Sequence, residues 1–250
     1  MVITTTGIAF ILLSLGVAFC GWQFFFAFKK AGGAIDNKTG LLISIFFFLS
    51  ALQNGVLGIG ALLFPDSPRT LYSFLLLSHF SLALMTVSSI ALFYYVVLPN
   101  RSPRMGIGTT ISLGLLFIFY TISTDPQPFL TSQNGIDWGM NSLLSLLMFS
   151  LFFLSLLPPT YIFFKLFLVA SNKKLKRSAI LISGLCFAGI INVFMRLVIF
   201  NSGPFGLRTR ILDIAVATIG IGFIIPIAVL PFLQGLKFNF KKSSFKNLDI

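Results

Sequence analysis

"LYSFLLLSHFSLALMTVSSIALFYYVVL", residues 71 to 98, runs for 28 residues without a charged side chain. The hydrocarbon core of a bilayer is about 30 Å thick, which about 20 apolar residues cross as a helix. The stretch is therefore long enough to span, with length left for tilt, a kink or protrusion into the cytoplasm. Its apolar residues are continuous rather than alternating, so it reads as a helix and not as a barrel strand.

Six further runs share this texture: 7 to 28, 41 to 64, 105 to 123, 141 to 170, 179 to 200 and 211 to 234. The whole chain is 56% hydrophobic and 10% charged, with a mean hydropathy of +0.98, a balance that a water-soluble domain could not keep off its surface. The expected fold class is an all-α integral membrane protein: a bundle of about seven transmembrane helices over residues 1 to 236, then a short basic tail over 237 to 250. The start, "MVITTTGIAFILLSLGVAFCGW", lacks a basic leader, and Phe19 stands where a lipoprotein signal needs a small residue before Cys20. It is read as an uncleaved first span.

The net charge of +12 would point to nucleic acid in a soluble protein, but here the cations fall mainly between the apolar runs. They read as topology signals and contacts to anionic lipid, not as a nucleic-acid surface. Fourteen of the 18 lie on one side of the alternating runs, including Lys173, Lys174, Lys176, Arg177, Lys241 and Lys242; Arg69, Arg196, Arg208 and Arg210 lie on the other. The positive-inside bias then places the N-terminus outside and the C-terminus in the cytoplasm, in a multi-pass protein of the bacterial plasma membrane. The charge-poor loop "TDPQPFLTSQNGIDWG" (124 to 139) falls outside, with Trp138 where an interfacial aromatic belongs.

Prolines and small residues mark local features. "LLPPTYIFF" (156 to 164) predicts a kink or break at Pro158 and Pro159, and Pro226 should bend the last run. "NGVLGIGA" (54 to 61) and "AVATIGIGF" (215 to 223) allow close helix packing. Cys20 and Cys186, inside apolar runs, read as small buried hydrophobes rather than a disulfide framework.

Polar residues within the runs are the candidates for function. Arg196, in "GIINVFMRLVIFNSG" (189 to 203), either snorkels to nearby head groups or pairs with Asp213 at a similar depth in the next run. Asn192 lies one turn from Arg196 on the same face. His79 is either a neutral residue hydrogen-bonded to a neighbouring helix or a pH- or ligand-responsive element. With Gln53 and Asn54, these residues predict a polar pocket or packing cluster biased toward the outer half.

The inventory weighs against several chemistries. The six acidic residues are all Asp, there is one His, and no Glu, so a carboxylate di-metal or zinc centre is not expected. No lysine in the last run offers a retinal Schiff base, no pair of buried aspartates suggests an intramembrane protease, and no glycine pattern suits a nucleotide. No cofactor, metal or catalytic residue is predicted.

The order and texture of "LLLSHFSLALMTVSSIALFYYVVLPNRSPR" (75 to 104) and "FKLFLVASNKKLKRSAILISGLCFAGIINVF" (164 to 194) resemble the seven-transmembrane sensor region at the N-terminus of some bacterial histidine kinases. The resemblance carries over no individual functional residue. It implies a sensory or receptor-like bundle, and with "GLKFNFKKSSFKNLDI" in place of a kinase after the last run, an output module on a separate polypeptide. The alternative is a small permease or membrane subunit of a transport complex; a purely structural membrane subunit is a third reading.

Overall fold

The computed structural model describes residues 3–30, 37–132, 134–170, 173–199 and 206–227. Seven α-helices follow one another: α1 (Thr5–Lys30), α2 (Asn37–Leu63), α3 (Pro68–Val96), α4 (Arg104–Thr124), α5 (Ser142–Val169), α6 (Lys173–Phe194) and α7 (Gly206–Ile227). Helix α6 continues into a π-helical turn, Met195–Ile199. The first six are long and apolar enough to cross a membrane; the apolar part of α7 within the described residues is shorter, Ile211–Phe223. Large apolar side chains face outward on all of them, among them Leu15, Leu52, Leu77, Phe119, Leu157 and Ile214. That coat suits lipid rather than water, so the chain is an integral multi-pass membrane protein.

Helix packing closes a ring. α1 lies between α2 and α7, α2 meets α3, α3 meets α5, α5 meets α6, and α6 returns to α7. α4 stays outside, laid mainly against α3, with Thr110, Gly114, Phe117 and Thr121 as its buried stripe. Between lipid-coated helices the attraction is packing rather than the hydrophobic effect, so small residues sit at the crossings. At the α1–α7 crossing a side chain at Gly16 would run into the Gly220 carbonyl, and one at Gly220 would reach the backbone of Leu13 and Leu12.

The helix termini explain where several elements start and stop. Thr4 caps α1: its Oγ1 accepts the Gly7 N–H at 3.1 Å and donates to the Ala61 carbonyl of α2 at 2.8 Å. Asn141 caps α5 by accepting the Leu144 N–H at 2.8 Å. Asp125 ends α4 in the left-handed region at φ 40°.

Two expectations are corrected here. Of the kink or break predicted at Pro158 and Pro159, the break does not occur; α5 runs through both as one helix. Pro159 has no N–H to give the Ser155 carbonyl, and Ser89 of α3 donates its hydroxyl to that carbonyl instead, at 2.6 Å. Second, Lys173 to Arg177 are the opening of α6, not a loop. The loop before α5 folds into an antiparallel hairpin, β1 (Phe129–Leu130) with β2 (Ile136–Asp137), in register Phe129 with Asp137 and Leu130 with Ile136. Asn134 takes a positive φ of 58° in its turn, as the Asn-Gly sequence favours.

The hairpin folds inward. Ile136 and Trp138 are buried among Phe10, Leu57, Leu71, Leu75 and Val216 at one end of the ring. Trp138 is therefore a core residue, not the interfacial anchor expected from its place in the loop. Gly139 makes the following turn, at φ 63° and against the Gln127 backbone, where a side chain would not fit.

Candidate functional site

A partly enclosed cavity of about 110 Å³ lies in the centre of the ring, lined by residues of α1, α2, α3, α5, α6 with its π turn, and α7. Trp138 and Met140, which follow the hairpin, line it as well, while Phe47 and Phe223 belong to its wall farther along the helices. There a cluster of rings joins four helices: Phe47 of α2 stacks on Phe24 of α1 at 5.5 Å, meets Phe223 of α7 edge-on at 6.1 Å, and lies 6.5 Å from Phe163 of α5. The cavity is thus bounded by the hairpin segment toward one end and by aromatic rings toward the other.

Its lining is mainly hydrocarbon and aromatic, with Ser50, Gln53, Asn54, Asn192 and Arg196 as the polar exceptions. Gln53 donates its amide to the Ser78 hydroxyl at 3.3 Å, and its Oε1 is buried without a partner among the described residues. The Asn54 amide is held by the Ser50 carbonyl at 2.7 Å.

Arg196 sits in the π turn, where an extra residue per turn shifts the side chain's direction relative to α6. Its Nη2 donates to Asp213 Oδ1 at 2.9 Å, with Asp213 2% exposed. The guanidinium lies 5.3 Å above the Phe10 ring, a cation–π contact. Its other nitrogen, Nη1, is buried without a hydrogen-bond partner among the described residues. Of the two openings the sequence left, snorkelling or pairing, the structure takes the pair.

Asp213 holds more than the arginine. Its Oδ2 accepts the Thr6 hydroxyl at 2.7 Å and lies 3.1 Å from the Thr5 hydroxyl. Thr6 in turn accepts the Ile136 N–H of the hairpin at 3.0 Å, and the Thr5 N–H reaches the Asn134 carbonyl at 2.9 Å. One carboxylate thereby ties the π turn, the start of α1 and the hairpin together beside the cavity. Two threonine hydroxyls and the Arg196 N–H leave a buried carboxylate well satisfied, which is what its low exposure demands.

The structure divides the sequence candidates. Gln53, Asn54, Asn192 and Arg196 line one cavity, and Asp213 braces it from behind. His79 is elsewhere: it is fully buried between α3 and α4, against the Phe117 ring at 4.5 Å. Thr121 donates its hydroxyl to the Phe117 carbonyl at 2.9 Å, so at the 3.2 Å contact it accepts from His79 Nδ1–H. The Nε2 position is then the acceptor, and it has no partner among the described residues. Thr5, Thr6 and Ile136 were missed as members of the site, although the Asn134-Gly135 pair signals the hairpin that brings Ile136 there.

The basic candidates cluster away from the hairpin. Lys173 and Arg177 are exposed, and Lys176 lies 5.0 Å over the Phe167 ring. The side chain of Lys174, and Lys241 and Lys242 with the rest of the tail and residues 228 to 234 of the last run, lie outside the described residues.

Fold and interior together define a multi-pass helical membrane protein with a central cavity braced by a buried ion pair. Comparison with known protein families, characterised proteins and solved structures finds no match.

Proposed function

We propose that the chain is a sensory or receptor-like membrane module whose input site is the central cavity and whose output is read by a separate partner at the basic end. The observation that carries this reading is the placement of Arg196: it faces the cavity and is bonded to Asp213, which also holds the hairpin through Thr6. A molecule that engages Arg196 changes the contacts of Asp213, and with them the seating of α1, α7 and the hairpin. Small shifts of packed helices are the usual way such a bias crosses a membrane. In this reading α7 is the seventh span, the hairpin end faces outward, and Lys173, Lys176 and Arg177 meet anionic lipid or the partner in the bacterial cytoplasm.

The alternative, a permease, requires a route past the rings of Phe24, Phe47, Phe163 and Phe223, and that barrier supports the receptor reading. Crosslinking of the tagged protein in its native membrane decides between them. The expected result is a signalling protein captured in stoichiometric amount, lost when residues from Lys237 onward are deleted. Capture of transport subunits, or solute uptake by proteoliposomes, replaces the reading with the permease.

A further inference from the structure

From the polar geometry of the cavity we infer that its ligand is a small, electrically neutral amphiphile: a compact apolar body carrying a hydroxyl or carbonyl group, and not an anion. This rests on the reading of the cavity as an input site and names what the site would take.

The apolar requirement comes from the lining. Phe10, Leu13, Val17, Met148, Phe152 and Val216 supply wall on every side, and a ligand with a large polar surface would lose its hydration against them without replacement. The volume, about 110 Å³, sets the scale: engineered apolar cavities of ~150 Å³ admit benzene. Being smaller than those but only partly enclosed, the cavity takes a single ring or a short branched chain whose substituent extends into the open side; a phospholipid or a fatty acid of membrane length does not fit.

The polar requirement comes from two buried atoms on opposite sides of the donor and acceptor ledger. Among the described residues, Arg196 Nη1 is a donor without an acceptor, and Gln53 Oε1 is an acceptor without a donor. Both residues line the cavity. Buried polar groups are rarely left so, and each gains when a ligand supplies its complement. A carbonyl or hydroxyl oxygen serves the first, and a hydroxyl proton serves the second.

Neutrality follows from Asp213. A free buried arginine would select a carboxylate, but this one already has a carboxylate at 2.9 Å. No other charged side chain among the described residues lines the cavity. A ligand anion would therefore enter as an unbalanced negative charge beside Asp213, in a low-dielectric interior where like charges repel strongly and desolvation is costly. A neutral acceptor uses the remaining N–H without that penalty.

Trp138 lines the cavity and Trp22, the only other tryptophan, is exposed on α1, so a Trp22→Phe protein carries one fluorophore at the site. The probes are 4-bromobenzyl alcohol, bromobenzene and 4-bromobenzoate at pH 7.5, whose bromine quenches a tryptophan it touches, added to the full chain in lipid nanodiscs. Quenching through the bilayer alone is measured with Gly189→Leu: Gly189 lines the cavity and a Cβ there meets only Leu156, at 3.5 Å, so the position admits a side chain that takes up cavity space. The expected result is saturable quenching by the alcohol, absent in Gly189→Leu and about tenfold weaker in Gln53→Leu, with the benzoate and the bare bromobenzene each binding about tenfold less well or worse. Benzoate binding as tightly as the alcohol overturns neutrality and leaves the input site standing. Bromobenzene binding as tightly overturns the role of the polar groups. Absence of saturable quenching by all three overturns both the ligand class and the cavity as an input site.

Discussion

Arg196 and Asp213 show what a single pair carries in this protein. Removing the cation alone leaves the Asp213 carboxylate buried with only threonine hydroxyls beside it. Arg196→Met is expected to destabilise the protein by about 3–5 kcal/mol, while Arg196→Met with Asp213→Leu recovers most of the loss, because an absent pair strands no charge. Thermal unfolding in detergent reads both; equal losses in the single and double variants would show that the pair is not what stabilises this corner. His79 makes a contrasting case. Thr121→Val removes the acceptor for His79 Nδ1–H and should lower stability by about 1 kcal/mol, yet leave probe binding in the cavity unchanged, since His79 and Thr121 do not line it. A change in probe affinity would mean that α4 and the cavity are coupled. The ion pair was legible because two isolated charges stood at matching depth in consecutive runs. The threonines were not, since Thr5 and Thr6 lie more than 200 residues from Asp213 in the chain and nothing local marks them.

At the scale of elements, α5 explains why a proline pair can be read correctly and still mislead. The sequence shows that Pro159 removes a donor, but it cannot show that Ser89, 66 residues away, supplies another to the Ser155 carbonyl. Ser89→Ala is expected to destabilise by about 1–2 kcal/mol, and to cost little in a Pro159→Ala background, where the backbone N–H returns. A double-mutant cycle in unfolding free energy measures this, and additive losses would mean that Ser89 acts independently of the proline. The α1–α7 crossing is a second case. Gly220→Val should separate the helices and destabilise by about 1–3 kcal/mol or more, since the neighbouring atoms are the backbone of Leu12 and Leu13 and cannot turn aside. Gly108, with open space around it, tolerates the same change in stability measurements beyond the intrinsic preference of the helix. Small-residue clusters therefore locate a crossing from sequence without saying which member makes it.

For the molecule as a whole, the apolar runs gave an all-helical bundle and the order of its helices, because hydropathy of that length has few other solutions. Which helices close the ring, and that α4 stays out of it, depend on complementary surfaces that no single run displays. The direction of the ring in the membrane is a separate matter, on which the distribution of charge makes a prediction. Lys165, Lys173, Lys176 and Arg177 gather at the end opposite the hairpin, which carries Asp137 and no cation among its described residues. The positive-inside bias then predicts that Phe129, exposed on β1, faces the outside and Lys173 the cytoplasm. The native cysteines are buried and free, so Cys20→Ala with Cys186→Ala gives a background for single labels at Phe129→Cys and Lys173→Cys. In intact cells a membrane-impermeant maleimide should label the first and reach the second only after permeabilisation. The reverse pattern would turn the hairpin and its neighbouring cavity toward the cytoplasm, and the molecule would then read a compound made inside the cell rather than one arriving from outside.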